Sequence, residues 1–187
     1  MPTLACTSPK EWRVWLAQNH RTSDGVWLRL YKKDSGKKTI LHAEALDEAL
    51  CYGWIDGQIQ AYDEISWLRK FTPRRPKSIW SKRNIELVRR LTKEGRMKPA
   101  GLEQVAAAKK DGRWTQAYDS PKNMTVPQDF LQKLAKNPDA HAFFKTLNKA
   151  NVYAIAWRLQ TAKKPETRTR RMNTLLEMLG KGKKFHA

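Results

Sequence analysis

Cys51-Tyr52-Gly53-Trp54-Ile55-Asp56-Gly57-Gln58-Ile59-Gln60-Ala61-Tyr62-Asp63-Glu64-Ile65-Ser66-Trp67-Leu68-Arg69-Lys70-Phe71-Thr72 reads as the end of a helix followed by a hairpin. Gly53 stops the helix, residues 54–60 and 65–72 are the two strands, and residues 61–64 are the turn. A four-residue loop pairs Gln60 with Ile65, which puts Gln58 opposite Trp67, Asp56 opposite Arg69 and Trp54 opposite Phe71. One face is then aromatic and charged. The other carries Ile55, Ile59 and Leu68, which suit a core under helices.

The hairpin feeds a stiff basic segment, Pro73-Arg74-Arg75-Pro76-Lys77-Ser78-Ile79-Trp80-Ser81-Lys82-Arg83-Asn84. Residues 69–98 hold twelve Lys/Arg against Glu86 and Glu94, a balance of +10. Residues 158–187 add +7, so nearly all of the formal +19 sits in two places. Charge concentrated this way attracts anions: nucleic acid, a phosphate-bearing ligand or an acidic protein. The two prolines reduce the entropy lost when guanidinium forks engage phosphate, so Arg74, Arg75, Lys77, Lys82 and Arg83 are the candidate anion-binding residues. Trp67 and Trp80 allow base stacking, although burial is the favoured reading for tryptophan.

A chain of 187 residues with eight tryptophans can bury a substantial core. Cys6 and Cys51 do not imply a disulfide, the first residues lack a signal-peptide pattern, and no apolar run reaches membrane-spanning length. The expected compartment is the cytoplasm.

Ser8-Pro9-Lys10-Glu11 is a helix start, and the helix runs to about His20. Residues 26–31 alternate as a strand, with Val26, Leu28 and Leu30 on the apolar face. Residues 43–52 are a helix with Leu46, Ala49 and Leu50 inward and Glu44, Asp47 and Glu48 outward. Ile85, Leu87, Val88 and Leu91 form the stripe of the helix after Ser81, where Glu86 and Arg90 make an i,i+4 pair. A further helix follows Pro99 through Leu102, Val105 and Ala106, and residues 113–123 connect to an all-helical remainder at 127–136, 138–147, 149–161 and 165–179. The fold class is α+β: a small antiparallel sheet of about three strands packed with helices over residues 1–118, then a helical region over 119–187.

No glycine pattern makes a phosphate loop or dinucleotide fingerprint, and neither Cys nor His has metal-site spacing, so neither cofactor nor metal is expected. Cys51 as a nucleophile would need a distant base; an ordinary packed helix cysteine is favoured. Asp56 needs a partner, for which Arg69, Arg74 or Arg75 qualify. A structural ion pair is favoured, and Trp54, Asp56, Trp67, Arg69 and Trp80 stand together as a second candidate site. In the last helix Arg168 falls on an extension of the stripe of Met172, Leu175, Leu176 and Leu179. Basic groups near a helix start oppose its dipole unless an anion or acidic neighbour compensates.

Gly25-Val26-Trp27-Leu28, Ala45-Leu46-Asp47-Glu48-Ala49-Leu50-Cys51-Tyr52-Gly53-Trp54-Ile55-Asp56-Gly57, Phe71-Thr72-Pro73-Arg74-Arg75-Pro76 and Trp80-Ser81-Lys82-Arg83-Asn84 resemble the YdeI/OmpD-associated proteins, also labelled bacteriocin-protection proteins. The tail Ala162-Lys163-Lys164-Pro165-Glu166-Thr167-Arg168-Thr169-Arg170-Arg171 resembles the motif of that family's C-terminal helical region, through Lys164, Glu166, Arg168 and Arg171. Leu41-His42 departs from the Thr-aromatic pair at the corresponding helix start. The resemblance implies a role in resistance to bacteriocins or cationic antimicrobial peptides, a porin association, and no established catalytic residues. A strongly positive protein repels cationic peptides, so protection by occupying their anionic targets, or indirectly, is the physically favoured form. The expected function is therefore a non-enzymatic binding protein of stress protection; a nucleic-acid-binding module and an enzyme using Asp56 with arginine are the alternatives.

Overall fold

The computed structural model describes residues 1–120 and 123–186. Pro121 and Lys122 of the expected connecting segment, and Ala187 of the expected C-terminal region, lie outside the described residues. The chain divides into two compact units: residues 1–80 with 84–117, and residues 81–83 with the chain from Tyr118 onward.

The first unit is α+β. Its strands are β1 (Thr3–Ala5), β2 (Val26–Tyr31), β3 (Trp54–Asp63) and β4 (Ser66–Pro73), in the order β1-β2-β4-β3. β1 runs parallel to β2, so the sheet has four strands and is mixed rather than wholly antiparallel. Three residues are too few to show alternation, which hides β1 in the sequence. The helices of this unit are α1 (Pro9–Asn19), α2 (His42–Cys51), α3 (Lys82–Lys93), whose first two residues belong to the second unit, and α4 (Pro99–Lys110).

Local chemistry sets these boundaries. Ser8 caps α1 by accepting from the Glu11 amide, while the Glu11 carboxylate reaches past it to the Thr7 amide and hydroxyl at 2.8 and 2.5 Å. Leu41 offers no side-chain acceptor to α2. Only half a capping box forms, with Glu44 accepting from the Leu41 amide at 2.9 Å. Beyond α2, Gly53 takes φ +76°, and a Cβ there would lie 2.8 Å from the Ala100 carbonyl oxygen. Where α4 crosses α2, a Cβ on Gly101 would lie 2.3 Å from the Cys51 carbonyl oxygen.

The hairpin exists, but its register and its buried face differ from expectation. The link between the strands is shorter than four residues: Asp63 pairs with Ser66, and bulges between Asp56 and Ile59 and between Ala61 and Asp63 absorb the offset. Asp56 therefore faces Phe71, and Trp54 faces Pro73. Residues opposite one another share a sheet face, so Val26–Phe71, Leu28–Arg69 and Leu30–Trp67 put Arg69, Phe71 and Trp67 on the apolar face of β2. The aromatic and charged face is thus the core face, with Trp12 5.4 Å from Phe71 and Trp15 5.7 Å from Trp54 between ring centroids. Of the three residues assigned to the core on the other face, Leu68 is buried and Ile55 packs partly buried against the core, whereas Ile59, which follows the bulge in the exposed stretch 57–63 of the edge strand, is 64 % exposed.

The core of the first unit gathers Trp12, Leu16, Val26, Leu28, Leu46, Leu50, Trp54, Phe71, Ile85 and Leu91, among others. Each fully buried large apolar side chain contributes roughly 1.5–3 kcal/mol. Of the residues expected in the α4 stripe, Val105 is buried, Leu102 and Ala106 are exposed, and Ala108 is buried in their place.

The second unit contains α5 (Gln128–Leu134), α6 (Pro138–Lys145), α7 (Lys149–Gln160) and α8 (Pro165–Gly180). Proline occupies the first turn of α6 and α8, and Asn137 and Asn148 cap α6 and α7. Their core is Phe130, Leu134, Ala140, Ile155, Leu159, Met172, Leu175 and Leu179.

Candidate functional site

Two buried or half-buried carboxylates organise the first unit. Asp56, on β3, accepts from Arg69 Nε at 3.0 Å and from Arg69 Nη2, and lies 3.0 Å from His42 Nε2. All three contacts fall on Oδ2. The Arg69 partnership was expected from the hairpin; the imidazole was not. His42 opens α2, fourteen residues away, and is placed over Trp67 and Phe71 by helix-on-sheet packing. Burial opposes ionisation of Asp56, but the His42 and Arg69 hydrogen bonds and charges outweigh it and hold the carboxyl below its ordinary range.

Glu48 was assigned to an outer helix face and is instead only 2 % exposed. Arg13 grips it through Nε and Nη2 at 2.8 and 2.7 Å, and Arg96 adds Nη2 at 2.8 Å. Burial opposes its charge, the two arginines overcome that, and its pKa lies below the usual value. The signal was present: Ala45, Glu48 and Tyr52 repeat at i, i+3, i+7, a buried stripe broken by one acid. Arg90, expected on Glu86, reaches Asp47 at 2.6 Å and Glu94 at 3.3 Å.

The basic segment splits into different environments. Arg74, expected to face an anion in solvent, is only 5 % exposed. Its guanidinium lies 3.5 Å from the Trp80 ring centroid, and Trp114 packs beside Trp80 at 5.0 Å. Trp80 and Trp54 are fully buried and present no stacking platform, while Trp67 is half-buried. Arg75, Lys77 and Arg83 are exposed, and Lys82 is tied to Asp119 at 2.7 Å. The Ser78 amide donates to the Arg75 carbonyl at 3.0 Å, closing a turn with Pro76 at its first corner. At the second corner Lys77 takes φ +69°, a left-handed position that glycine usually fills.

In the second unit, Arg168 meets Asp129 through two bonds of 2.6 and 2.8 Å, which supplies the acidic neighbour its place near a helix start requires. Arg171 Nη1 donates to the Arg158 carbonyl at 2.8 Å and contacts Thr161 Oγ1 at 3.3 Å. Lys164 and Glu166, at the start of α8, are exposed. Among the described residues no group of His, Cys, Asp and Glu could hold a metal ion, and no helix is long and apolar enough to cross a membrane.

Residues 4–104 match a domain of unknown function, DUF8412, and residues 123–182 match the family described as bacteriocin-protection, YdeI or OmpD-associated. The chain belongs to the DUF8412 family and carries a YdeI/OmpD-associated segment. The strings at 25–28, 45–57 and 71–76 fall inside the DUF8412 match, together with Asp56, Arg69, Glu48 and the Lys77 turn. The Arg168 motif falls inside the YdeI/OmpD-associated match. No curated protein and no solved structure matches the chain.

Proposed function

We propose that this chain, which carries a segment similar to the bacteriocin-protection family, acts by binding rather than by catalysis, engaging an anionic partner through exposed cations of residues 69–98. The observation that carries the reading is how those cations are sorted. Arg69, Arg90, Arg96 and Lys82 neutralise carboxylates, and Arg74 is buried on Trp80. Arg75, Lys77, Arg83, Arg89, Lys93 and Lys98 are exposed, and among the described residues none has an ion pair. Arg89 and Lys93 are one turn apart on α3 and share a face. The left-handed Lys77 supports the same reading, because a strained non-glycine corner costs roughly 1–3 kcal/mol and persists most often where function uses the side chain.

Catalysis by Asp56 is disfavoured on chemical grounds. A carboxylate held below its ordinary range by a guanidinium and an imidazole is a weak general base at neutral pH. The two cysteines are free, which suits a reducing compartment, and the proposed place of action is the cytoplasm. The net charge of +19 makes direct capture of cationic peptides unfavourable, so protection would act on the anionic side of their targets.

Anisotropy titration of unrelated duplex DNAs and single-stranded RNAs, and of phosphatidylglycerol vesicles, tests the reading. Sequence-indifferent binding should weaken with salt by roughly 0.9 logarithmic units per contacted phosphate on duplex. Arg75→Ala with Lys77→Gly should make that slope shallower by roughly two, the glycine keeping the turn while removing the charge. Absence of binding to all three probes at low salt would refute anion engagement by this segment.

A further inference from the structure

Between α7 and α8 of the second unit lies a cleft of about 300 Å³ whose charged lining is entirely cationic: Arg158, Arg170 and Arg171. Trp157, Met178 and Phe185 supply its apolar walls. We infer that this cleft binds a small organic phosphate, with the phosphomonoester head held by the three guanidiniums and a single flat apolar group lying on those walls.

Two of the guanidiniums are already fixed. Arg171 is anchored through Nη1 to the Arg158 carbonyl, and Arg158 through Nη1 to the Ala154 carbonyl at 3.1 Å, with its guanidinium carbon 3.7 Å from the Phe185 ring centroid. Each keeps a free edge of N–H groups, because among the described residues no bond uses their other nitrogens; the Arg171 contact with Thr161 is made by the same Nη1. Arg170 is exposed, and its side chain has no bond or ion pair among the described residues. Phe185 is held in turn by Asn151, whose side-chain oxygen accepts from the Phe185 and His186 amides at 2.9 and 3.0 Å. A site whose donors and aromatic wall are fixed beforehand loses little entropy when it fills.

The electrostatics point to a ligand as well. Glu177, on α8, is taken by Lys181 at 2.5 Å, and Asp129 is taken by Arg168. No carboxylate lies in the lining to offset three guanidiniums. Burial first, and then the charge of Arg171, disfavours the charged form of Arg158. An anion between the forks reverses that penalty. A phosphomonoester, close to a dianion at neutral pH, offsets more of the charge than a monocarboxylate, and guanidinium forks match its oxygens two at a time. The volume is at the small end of ligand sites and suits one ring with its phosphate rather than an extended cofactor.

The site is separate from residues 69–98, and calorimetry on the full chain distinguishes the two. Phenyl phosphate should bind about tenfold or more tighter than either inorganic phosphate or benzoate, since it alone uses both walls and head site. Arg170→Gln, at an exposed position without side-chain bonds, should weaken both phosphate probes about tenfold while leaving Tm unchanged; Arg158→Gln should act in the same direction. Phe185→Leu should bring phenyl phosphate down toward inorganic phosphate and weaken inorganic phosphate by much less, since Arg158 loses its stack on the ring but keeps its bond to the Ala154 carbonyl. The Arg75→Ala, Lys77→Gly variant should bind phenyl phosphate normally. Equal affinity for phenyl phosphate and inorganic phosphate would overturn the apolar subsite, equal affinity for benzoate would overturn the phosphate head site, and indifference to Arg170→Gln in a folded protein would overturn the cleft itself.

Discussion

His42 Nε2 lies 3.0 Å from Asp56 Oδ2, on the oxygen that also accepts from Arg69, so one carboxylate atom ties the start of α2 to two strands of the sheet. The side chain of Asp56 is 13 % exposed and that of Arg69 17 %, which leaves little water to take the carboxylate's place. Asp56→Asn keeps the shape but leaves Arg69 without its counter-charge. The expected loss is about 3 kcal/mol, the lower end for breaking a buried pair, measured as a shift in the urea midpoint at unchanged m-value. Binding to the anionic probes, corrected for the folded fraction, should be unaffected. Loss of that binding in a fully folded Asp56→Asn protein would instead place Asp56 in the functional site.

The same carboxylate, with Glu48, predicts how the first unit responds to acid. Both pKa values are depressed in the folded protein relative to ordinary carboxylates. Groups depressed on folding stabilise the native state fully above their unfolded pKa, near 4, and lose that contribution as pH falls through the folded value. Stability should thus be flat from about pH 7 to 5 with respect to these two groups and fall below about pH 4. Glu48→Gln should cost roughly 3–5 kcal/mol at pH 7, because Arg13 and Arg96 both lose their acceptor charge, and its deficit should shrink as the pH is lowered. A deficit independent of pH would mean that packing, not charge, holds Glu48.

Gly101→Ala tests the crossing of α2 and α4. Alanine is favoured over glycine in a helix interior by roughly 1 kcal/mol. Here the added methyl would sit 2.3 Å from the Cys51 carbonyl oxygen, a backbone atom that cannot swing aside. Overpacking of this kind costs about 1–3 kcal/mol, so a net loss of stability is expected, read as a lower Tm. A gain in Tm would show that the helices separate freely at this point.

Features carried by neighbouring residues were legible from sequence. Ser8-Pro9, Pro138 and Pro165 announce helix starts because capping is local, and Val26, Leu28 and Leu30 announce the buried face of β2 by alternation. Asp56 and Arg69 were brought together correctly even though their assumed register was off. At Trp54 and Asp56 the error was two residues, which preserves the face, and an arginine is long enough to reach diagonally; nearer the turn, where Ala61 rather than Gln58 faces Trp67, it was three. Which face would be buried was not legible, since the aromatic face carries charges and the other carries Ile55 and Leu68. Burial of the charged face became affordable only once His42 and Arg69 met Asp56. Gly57, interrupting the strand, was the available signal for the bulge that precedes Ile59. Arg74 gave no such signal. Its burial depends on Trp80 and Trp114, and nothing in Pro-Arg-Arg-Pro distinguishes it from Arg75.

The thiols give the last prediction. Cys6 and Cys51 are free and buried, and burial, helped by the neighbouring Glu11 and Glu48 charges, pushes both pKa values up to about 11. At pH 8 roughly one molecule in a thousand would carry a thiolate at either position, and the thiolate is the form that alkylates. Neither residue should therefore react with iodoacetamide in the native protein over hours at pH 8, whereas both should react within minutes in denaturant, giving two added groups by intact mass. Arg96 lies among the charges acting on Cys51 and lowers its pKa, but it is committed to Glu48. Glu48→Gln removes the carboxylate that raises the Cys51 pKa and loosens the surrounding packing, so it should speed labelling at Cys51 while leaving Cys6 protected. Rapid labelling of Cys51 in the unmodified chain would show an accessible, activated thiol and would return Cys51 to the list of candidate nucleophiles.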